Sequence, residues 1–238
     1  MANYEPLSPL SFLHRTAMMF PNRQAVVYGE RSYTWSEFYT RCKKLASALR
    51  HHGVCKGDTV AVLAANTPEM IEAHFGVPMS GAVLNTINTR LDEETITYIL
   101  EHGEAKVFIV DAELAPQAQK ALTNVKDKSM LVIDILDKQN HPAPARIGLS
   151  DYEAFLSGGN DEDHWKMPTN EWDAIALNYT SGTSGRPKGV VYHHRGSYLM
   201  SMGTIADWDL PRHPNYLYTV PLFHCNGWGH AWTMTALA

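Results

Sequence analysis

A segment rich in glycine and hydroxyl residues runs from Tyr179 to Gly189, with the sequence YTSGTSGRPKG. Glycine adopts backbone conformations that other residues avoid, and these let successive N–H groups point inward to form an anion-binding nest. Hydroxyl groups add hydrogen-bond donors, and Lys188 adds a mobile positive charge. Because these groups together can hold a polyphosphate, the segment predicts a phosphate-binding loop.

The loop does not match the Walker A motif, which has four residues between its glycines and a Lys-Ser or Lys-Thr pair after the second. Here two residues separate Gly182 from Gly185, and Gly189 follows Lys188. Apolar runs on both sides, at 174–177 and 190–192, predict two strands that the loop joins. The alternative interpretation is a polar hairpin that binds no ligand.

A second block, Pro221 to Trp228, has the sequence PLFHCNGW. Together with the loop, it resembles the acyl-adenylating superfamily, which includes acyl-CoA synthetases, luciferases and the adenylation domains of nonribosomal peptide synthetases. The loop is similar to the superfamily's phosphate loop. The second block is similar to the segment that borders the acyl pocket of fatty acyl-CoA synthetases, and His224 and Trp228 carry that part of the resemblance. Four positions apart, these two residues would share one face of a helical turn.

The resemblance implies ATP and Mg²⁺ as cofactors, a carboxylic acid as substrate and coenzyme A as co-substrate. It implies that the Thr180 hydroxyl helps to position Mg²⁺ and that Lys188 neutralises the β- and γ-phosphates. The residues that would wrap these phosphates are Ser181, Gly182, Thr183, Ser184 and Gly185. His224 would lie beside the carboxylate and the α-phosphate, serving catalysis with Lys188, and Trp228 would gate the acyl tunnel. The alternatives are a core histidine bonded to a backbone carbonyl and a tryptophan that only packs in the core.

Adenylation makes a carboxylate reactive, since the free anion resists attack and would have a poor leaving group. The carboxylate attacks the α-phosphorus of ATP, pyrophosphate leaves, and a thiol such as that of coenzyme A then displaces AMP. The charge on the leaving phosphates must be held by backbone dipoles, a cation and Mg²⁺. We therefore expect an AMP-forming acid–thiol ligase for a fatty or a short- to medium-chain acid. An adenylating enzyme for an aryl acid, or with another acceptor, is the alternative.

The superfamily's later motifs bind adenine, ribose and Mg²⁺ and supply a lysine on a mobile C-terminal domain, and none is found in these 238 residues. The apolar run 231–238 also lacks a helix stop signal. We therefore expect the N-terminal part of a longer synthetase, inactive alone, whose partner is the rest of the parent chain. Apolar surface exposed at such a boundary would favour self-association, for example as a homodimer. A short non-catalytic nucleotide-binding or scaffold protein is the alternative from a different class.

The composition limits other classes of function. Hydrophobic residues make up 45% of the chain and charged residues 19%, which suits a folded globular protein. A net charge of −5 argues against nucleic-acid binding, and no apolar run has the length of a membrane span. The sequence opens without a secretory signal and has three widely spaced cysteines, so we expect reduced thiols in a cytoplasmic protein. We expect no structural zinc site, because His193 and His194 would point to opposite faces of a strand.

Strand and helix patterns alternate in the first part of the chain. Apolar runs at 59–63, 83–84, 107–110 and 130–133 predict strands, separated by helices at 67–80, 92–102 and 115–122. This alternation predicts an α/β fold with a layered parallel sheet and flanking helices, whose ligand edge lies at the carboxyl ends of the strands. A hairpin is expected at 25–34, before a helix that begins at a capping box of Thr34 and Glu37. Tyr216–Val220 has a strand-like pattern. The whole chain, 1–238, would form one AMP-binding domain fragment with lobes 56–202 and 1–55 with 211–238.

Overall fold

The computed structural model describes residues 3–137, 145–180 and 185–238. The strands are β1 (Gln24–Tyr28), β2 (Arg31–Thr34), β3 (Thr59–Leu63), β4 (Val83–Thr86), β5 (Ala105–Asp111), β6 (Leu131–Ile135), β7 (Ser150–Asp151), β8 (Ala174–Tyr179) and β9 (Gly189–His193). The helices are α1 (Leu10–Met19), α2 (Trp35–His51), α3 (Pro68–Met79), α4 (Glu93–His102), α5 (Ala115–Asn124), α6 (Tyr152–Ser157), α7 (His194–Asp207) and α8 (His230–Leu237), with a short 3-10 helix at Ala112–Leu114.

Seven strands form one sheet in the order β7-β6-β5-β3-β4-β8-β9, and β1 and β2 form a separate hairpin. Every neighbouring pair in the large sheet is parallel except β8 and β9, which are antiparallel. The predicted α/β fold, with a mainly parallel sheet and flanking helices, is therefore confirmed, as is the predicted hairpin near the N-terminus. The carboxyl ends of β3, β4 and β8 meet at one edge of the sheet, where ligands bind in such folds.

Strand β3 lies inside the sheet, and all five of its residues are buried. Val60 and Val62 pack in a core cluster with α2 and α3, whereas Ala61 and Leu63 pack in a cluster with α4 and α5. Alternate side chains of a strand point to opposite faces, so a strand covered on both sides appears as a continuous apolar run. The two layers of helices therefore fix the sheet from both faces and hold the strand ends in place.

Local sequence signals determine where the helices begin. The Thr34 hydroxyl accepts a hydrogen bond from the Glu37 backbone N–H, and the Glu37 carboxylate accepts one from the Thr34 backbone N–H at 2.7 Å. This is the predicted capping box, and α2 begins directly after it. Thr67 caps α3 in a similar way, and Pro68 occupies the first turn, where its missing N–H leaves no hydrogen bond unmade.

A buried ionic network joins α2, α3 and α6. Arg41 of α2 contacts Glu72 of α3, with Nε 2.6 Å from Oε1, and also contacts the Glu153 carboxylate of α6. The Tyr152 hydroxyl donates to the other Glu72 oxygen at 2.8 Å. Glu72 is fully buried, and this burial raises its pKa to about 7 although Arg41 opposes the shift. Removing one partner from this network would leave a buried charge uncompensated, so the three helices depend on one another at these contacts.

The segment Tyr216–Val220, predicted to be strand-like, forms no strand in the structure. A side chain binds this segment instead: Asn66 Nδ2 donates hydrogen bonds to the backbone carbonyl oxygens of Tyr218 at 3.1 Å and Val220 at 3.0 Å. Asn66 Oδ1 accepts from the backbone N–H of Leu222 at 2.8 Å. One asparagine between β3 and α3 thus binds this segment in place of a neighbouring strand, which the local pattern could not reveal.

The first and last helices are in contact. Thr16 Oγ1 of α1 donates to the carbonyl oxygen of Thr235 at 2.9 Å, and Arg15 donates to that of Ala236 at 2.6 Å. The helix-like run predicted at 231–238 corresponds to α8.

The division into lobes 56–202 and 1–55 with 211–238 stays a prediction. Across the described ranges, no helix is both long enough and apolar enough to span a membrane.

Candidate functional site

The predicted phosphate loop joins β8 to β9 at the carboxyl edge of the parallel strands. The Thr180 backbone N–H donates to the Lys188 carbonyl oxygen at 3.0 Å, and the Lys188 N–H donates to Thr180 Oγ1 at 3.3 Å. These bonds close the base of the loop and bring the two residues together, although eight positions separate them in the sequence. Both residues are exposed. The loop is therefore the connection of an antiparallel hairpin, and Thr180 and Lys188 are exposed residues in the described part of it.

Four of the predicted phosphate-binding residues, Ser181, Gly182, Thr183 and Ser184, lie outside the described residues. Gly185, the next residue, is exposed and has a φ of +143°. A Cβ atom at this position would meet nothing within 4 Å, so space does not require the glycine. The backbone conformation favours glycine here, because residues with side chains rarely adopt such a φ value.

An aromatic cluster on α4 packs against both ends of the loop. Tyr179, the last residue of β8, has its hydroxyl 2.8 Å from His102 Nδ1, and its ring meets Tyr98 edge-on at 6.3 Å. The Arg186 guanidinium lies over the Tyr98 ring, 5.4 Å from the centroid. Burial raises the pKa of Tyr179 to about 12, so its hydroxyl stays protonated at neutral pH. Sequence reasoning did not identify these contacts, since α4 and the loop are far apart in the sequence.

His224 directly precedes a left-handed turn before α8, and Trp228 lies within that turn. Five consecutive residues, Cys225 to Gly229, have φ values between +45° and +67°. A left-handed conformation costs about 1–2 kcal/mol for each residue that carries a side chain. Both His224 and Trp228 are exposed, Trp228 by 56%, so neither is the core residue that the alternative interpretation required. The turn is also not the right-handed helical turn for which a shared face was expected.

Three buried polar side chains support this turn from below. Asn178 Nδ2 of β8 donates to Asn226 Oδ1 in the middle of the turn. The Thr86 hydroxyl at the end of β4 lies 2.9 Å from the Phe223 carbonyl oxygen and 3.2 Å from Asn178 Oδ1. Its single proton is shared between these acceptors. Thr86, Asn178 and Asn226 were not among the site residues predicted from the sequence. The available signal was an asparagine inside an apolar strand, because a buried amide requires hydrogen-bond partners.

A cavity of about 660 Å³ lies between strand β1, the start of α3, the segment 213–218 and helix α8. Its lining includes Trp35, Phe38, Tyr218 and Met234. None of the described residues predicted for the site lines it. We therefore place the candidate site at the loop and the turn and not in this cavity.

The model of one protein family, described as "AMP-binding enzyme", matches residues 13–238. The chain belongs to the AMP-binding enzyme family. The resemblance predicted from the loop and the second block is thereby confirmed.

Plant acid–CoA ligases are similar to this AMP-binding family member. Acetate–CoA ligase CCL3 of Humulus lupulus is 45% identical over 245 residues, which cover 99% of this chain and 43% of the relative. Peroxisomal acetate/butyrate–CoA ligase AAE7 of Arabidopsis thaliana is 44% identical, and the match covers 100% of this chain and 43% of the relative. Peroxisomal trans-cinnamate:CoA ligase of Petunia hybrida is 44% identical, with 99% and 44% covered. The chain thus spans less than half the length of these relatives.

Solved structures share the fold of this family member. The N-terminal domain of FACL13 from Mycobacterium tuberculosis superimposes with a TM-score of 0.82 and 25% identity, covering 97% of this chain and 55% of that one. The long-chain-fatty-acid–CoA ligase FadD1 from Archaeoglobus fulgidus gives a TM-score of 0.84 with 21% identity, covering 98% and 46%. The observed architecture is therefore that of the N-terminal domain of acyl-CoA ligases.

The described loop residues fit the phosphates of a nucleotide by their chemistry. Lys188 offers an exposed cation, and Gly185 has a positive φ that residues with side chains rarely adopt. Thr180 offers only one neutral oxygen for Mg²⁺, which usually takes one or two carboxylates together with phosphate oxygens. Among the residues that the structure describes, no group of three or more His, Cys, Asp or Glu side chains could hold a metal ion.

Proposed function

We propose that this chain forms the phosphate-binding and acid-binding part of an ATP-dependent acid–CoA ligase. One observation carries the proposal: the strand that leads into the phosphate loop is hydrogen-bonded, through Asn178 and Asn226, to the turn between His224 and Trp228. Each asparagine is two residues away from a predicted site residue, and two residues of chain span at most about 7 Å. A phosphate site and an acid site that adjoin in this way suit the joining of a carboxylate to a nucleotide.

In the proposed reaction, a carboxylate oxygen bonds to the α-phosphorus of ATP as the bond from that phosphorus to the β-phosphate bridging oxygen breaks. Pyrophosphate leaves with the electron pair of that bond. Lys188 and the loop N–H groups stabilise the charge that develops on the leaving phosphates, because preorganised donors and cations act where the charge appears. The thiolate of coenzyme A then attacks the acyl carbonyl carbon, and AMP leaves.

His224 and Trp228 have different proposed roles. The His224 imidazole donates a hydrogen bond to oxygen where negative charge develops between the carboxylate and the α-phosphate. The Trp228 indole covers the path of the acyl chain until the nucleotide is bound. The exposure of both side chains on one turn supports these roles, because a residue that contacts substrate must be accessible.

Mg²⁺, when bound with the nucleotide, supplies a positive charge that stabilises the phosphate oxygens. Thr180 is the described residue that we assign to the ion. Its Oγ1 accepts one long hydrogen bond, of 3.3 Å, from the Lys188 N–H, so a second lone pair remains for a metal ligand. The acidic ligands that Mg²⁺ prefers are expected in the remainder of the parent chain.

The names of the relatives suggest the class of acid. Acetate and butyrate appear in the names of two relatives that are 45% and 44% identical to this chain, so we propose a short-chain acid. The trans-cinnamate:CoA ligase, also 44% identical, keeps an aryl acid as the second candidate.

Two of the three relatives are named as peroxisomal, so a peroxisomal location competes with the cytoplasmic one predicted from the sequence. Imaging of the tagged full-length protein distinguishes the two locations.

The experiment uses the full-length protein in an ATP–pyrophosphate exchange assay with acetate, butyrate, octanoate, palmitate and cinnamate. We expect exchange that depends on the acid and is fastest with acetate or butyrate, followed by acyl-CoA formation when coenzyme A is added. Exchange with none of the acids would exclude an adenylating enzyme for them and favour a nucleotide-binding scaffold. Exchange without acyl-CoA formation would indicate another acceptor.

The 238-residue chain alone is expected to give no exchange, because it lacks the groups predicted to bind adenine and ribose and to orient the acid. We expect at most weak, Mg²⁺-dependent nucleotide binding. Acid-dependent exchange by this purified chain, at a rate near that of the full-length protein, would contradict the expectation. Light scattering on the same sample tests the proposed self-association.

A further inference from the structure

The turn that carries the candidate acid site is tied to the phosphate-loop strand by one pair of amides. Asn178 Nδ2 donates to Asn226 Oδ1, and both side chains are at most 6% exposed. Thr86 completes the contact from β4, since its hydroxyl reaches both Asn178 Oδ1 and the Phe223 carbonyl oxygen. Buried hydrogen bonds of this kind specify one arrangement, because a buried amide left without its partner is strongly unfavourable.

The turn needs such support, because its left-handed backbone is unfavourable for residues with side chains. Cys225 and Trp228 have φ values of +45° and +57°, and neither residue type favours them. Strained conformations persist only where the surrounding structure determines them. Asn226 tolerates the left-handed region, and its buried side chain is the part of the turn that reaches β8.

We propose that Asn178 is a positioning residue that couples the phosphate loop to His224. Asn178 precedes Thr180 by two residues on β8, and its partner Asn226 follows His224 by two residues. Any shift of the turn relative to the loop must therefore break or bend this contact. Asn178 is buried and contacts Asn226, so its proposed role is to set the position of His224 relative to the phosphates. This inference rests on the proposed function.

Asn85 provides a matched control. It is a fully buried asparagine on β4, and its amide donates to the Leu177 carbonyl oxygen of β8 at 2.8 Å. It thus joins β4 to β8, as Thr86 and Asn178 do, but its hydrogen bond goes to the strand and not to the turn. Asn85→Ala should lower the stability of the sheet without moving His224. Asn178→Ala should lower stability and also move His224.

The conservative variant Asn178→Asp should rescue part of the loss. The buried Nδ2 of Asn226 has no partner among the described residues, so rotation of that amide would allow it to donate to an aspartate. If the aspartate is protonated, its hydroxyl can donate to Asn226 Oδ1 instead. In either state the link to the turn persists, whereas alanine removes it.

The test measures ATP–pyrophosphate exchange and thermal unfolding for full-length variants. For Asn178→Ala and Asn226→Ala we expect kcat to fall on the order of 10- to 100-fold, because small displacements of catalytic groups have effects of this size. The KM for ATP should change much less, since the loop itself is intact. In the His224→Ala background, Asn178→Ala should cause no further loss of kcat. Asn85→Ala should retain the wild-type kcat.

Several outcomes would overturn the inference. One is a wild-type kcat for Asn178→Ala, and another is a loss that multiplies with that of His224→Ala. A third is an equal loss of kcat for Asn85→Ala and Asn178→Ala. If Asn178→Ala does not fold, Asn226→Ala provides the same comparison. If wild-type protein exchanges with no acid, the proposed function fails as well. Wild-type exchange with a normal Asn178→Ala overturns the coupling alone.

Discussion

Replacing Lys188 with alanine in the full-length protein separates the cost to catalysis from the cost to folding. The two hydrogen bonds between Thr180 and Lys188 use the backbone N–H and C=O of Lys188, so alanine retains both. The side chain is exposed, and removing it should change the free energy of unfolding by less than about 0.5 kcal/mol. Loss of a preorganised charged donor should cost about 2–4 kcal/mol in the transition state, or roughly 30- to 1000-fold in rate.

The assay is acid-dependent ATP–pyrophosphate exchange, measured beside thermal unfolding. Lys188→Arg keeps the charge and should retain more activity than Lys188→Ala. Lys120→Ala, which removes an exposed lysine from α5, controls for the change of one unit in net charge and should be as active as wild type. If Lys188→Ala unfolds at the wild-type temperature and exchanges at the wild-type rate, the proposed role of the loop lysine is wrong. A large drop in stability would instead show that the lysine supports the fold.

Three other changes test further parts of the structure. His224→Ala should lower the exchange rate for every acid, whereas Trp228→Ala should mainly change the preference among acids; identical acid profiles and rates would contradict both roles. Burial raises the pKa of Glu72 in the folded state from 4.5 to about 7, so the folded protein binds this proton more tightly than the unfolded chain does. The resulting contribution to stability is fully present below pH 4.5 and is lost as the pH rises to 7. Wild-type stability relative to Glu72→Gln should therefore fall across that window in pH-dependent unfolding, and a constant difference would contradict the shift. Gly229→Ala should destabilise by about 1–2 kcal/mol, because its φ of +67° costs about this much for a residue with a side chain. Chemical unfolding at the wild-type midpoint would show that the turn adapts.

The parts of the fold that depend on local signals could be predicted from the sequence. Buried strands appear as continuous apolar runs, and Thr34 with Glu37 marks the start of α2, so the alternating order and the parallel sheet follow. The position of the phosphate loop follows as well, because it comes directly after a strand. The segment Tyr216–Val220 was predicted wrongly, since its hydrogen-bond partner is the distant side chain of Asn66.

The contacts that join the two halves of the candidate site could not be predicted in the same way. Asn178 interrupts an apolar strand, and its need for a partner is visible, but Asn226 lies 48 residues further along the chain. The left-handed turn left a weak signal in Asn226-Gly227 and Gly229, residue types that tolerate positive φ. Cys225 and Trp228 gave no such signal, because their conformation is imposed by the packing around the turn. Backbone strain beside an exposed histidine and an exposed tryptophan is thus the structural observation that supports the proposed role of this turn in the site.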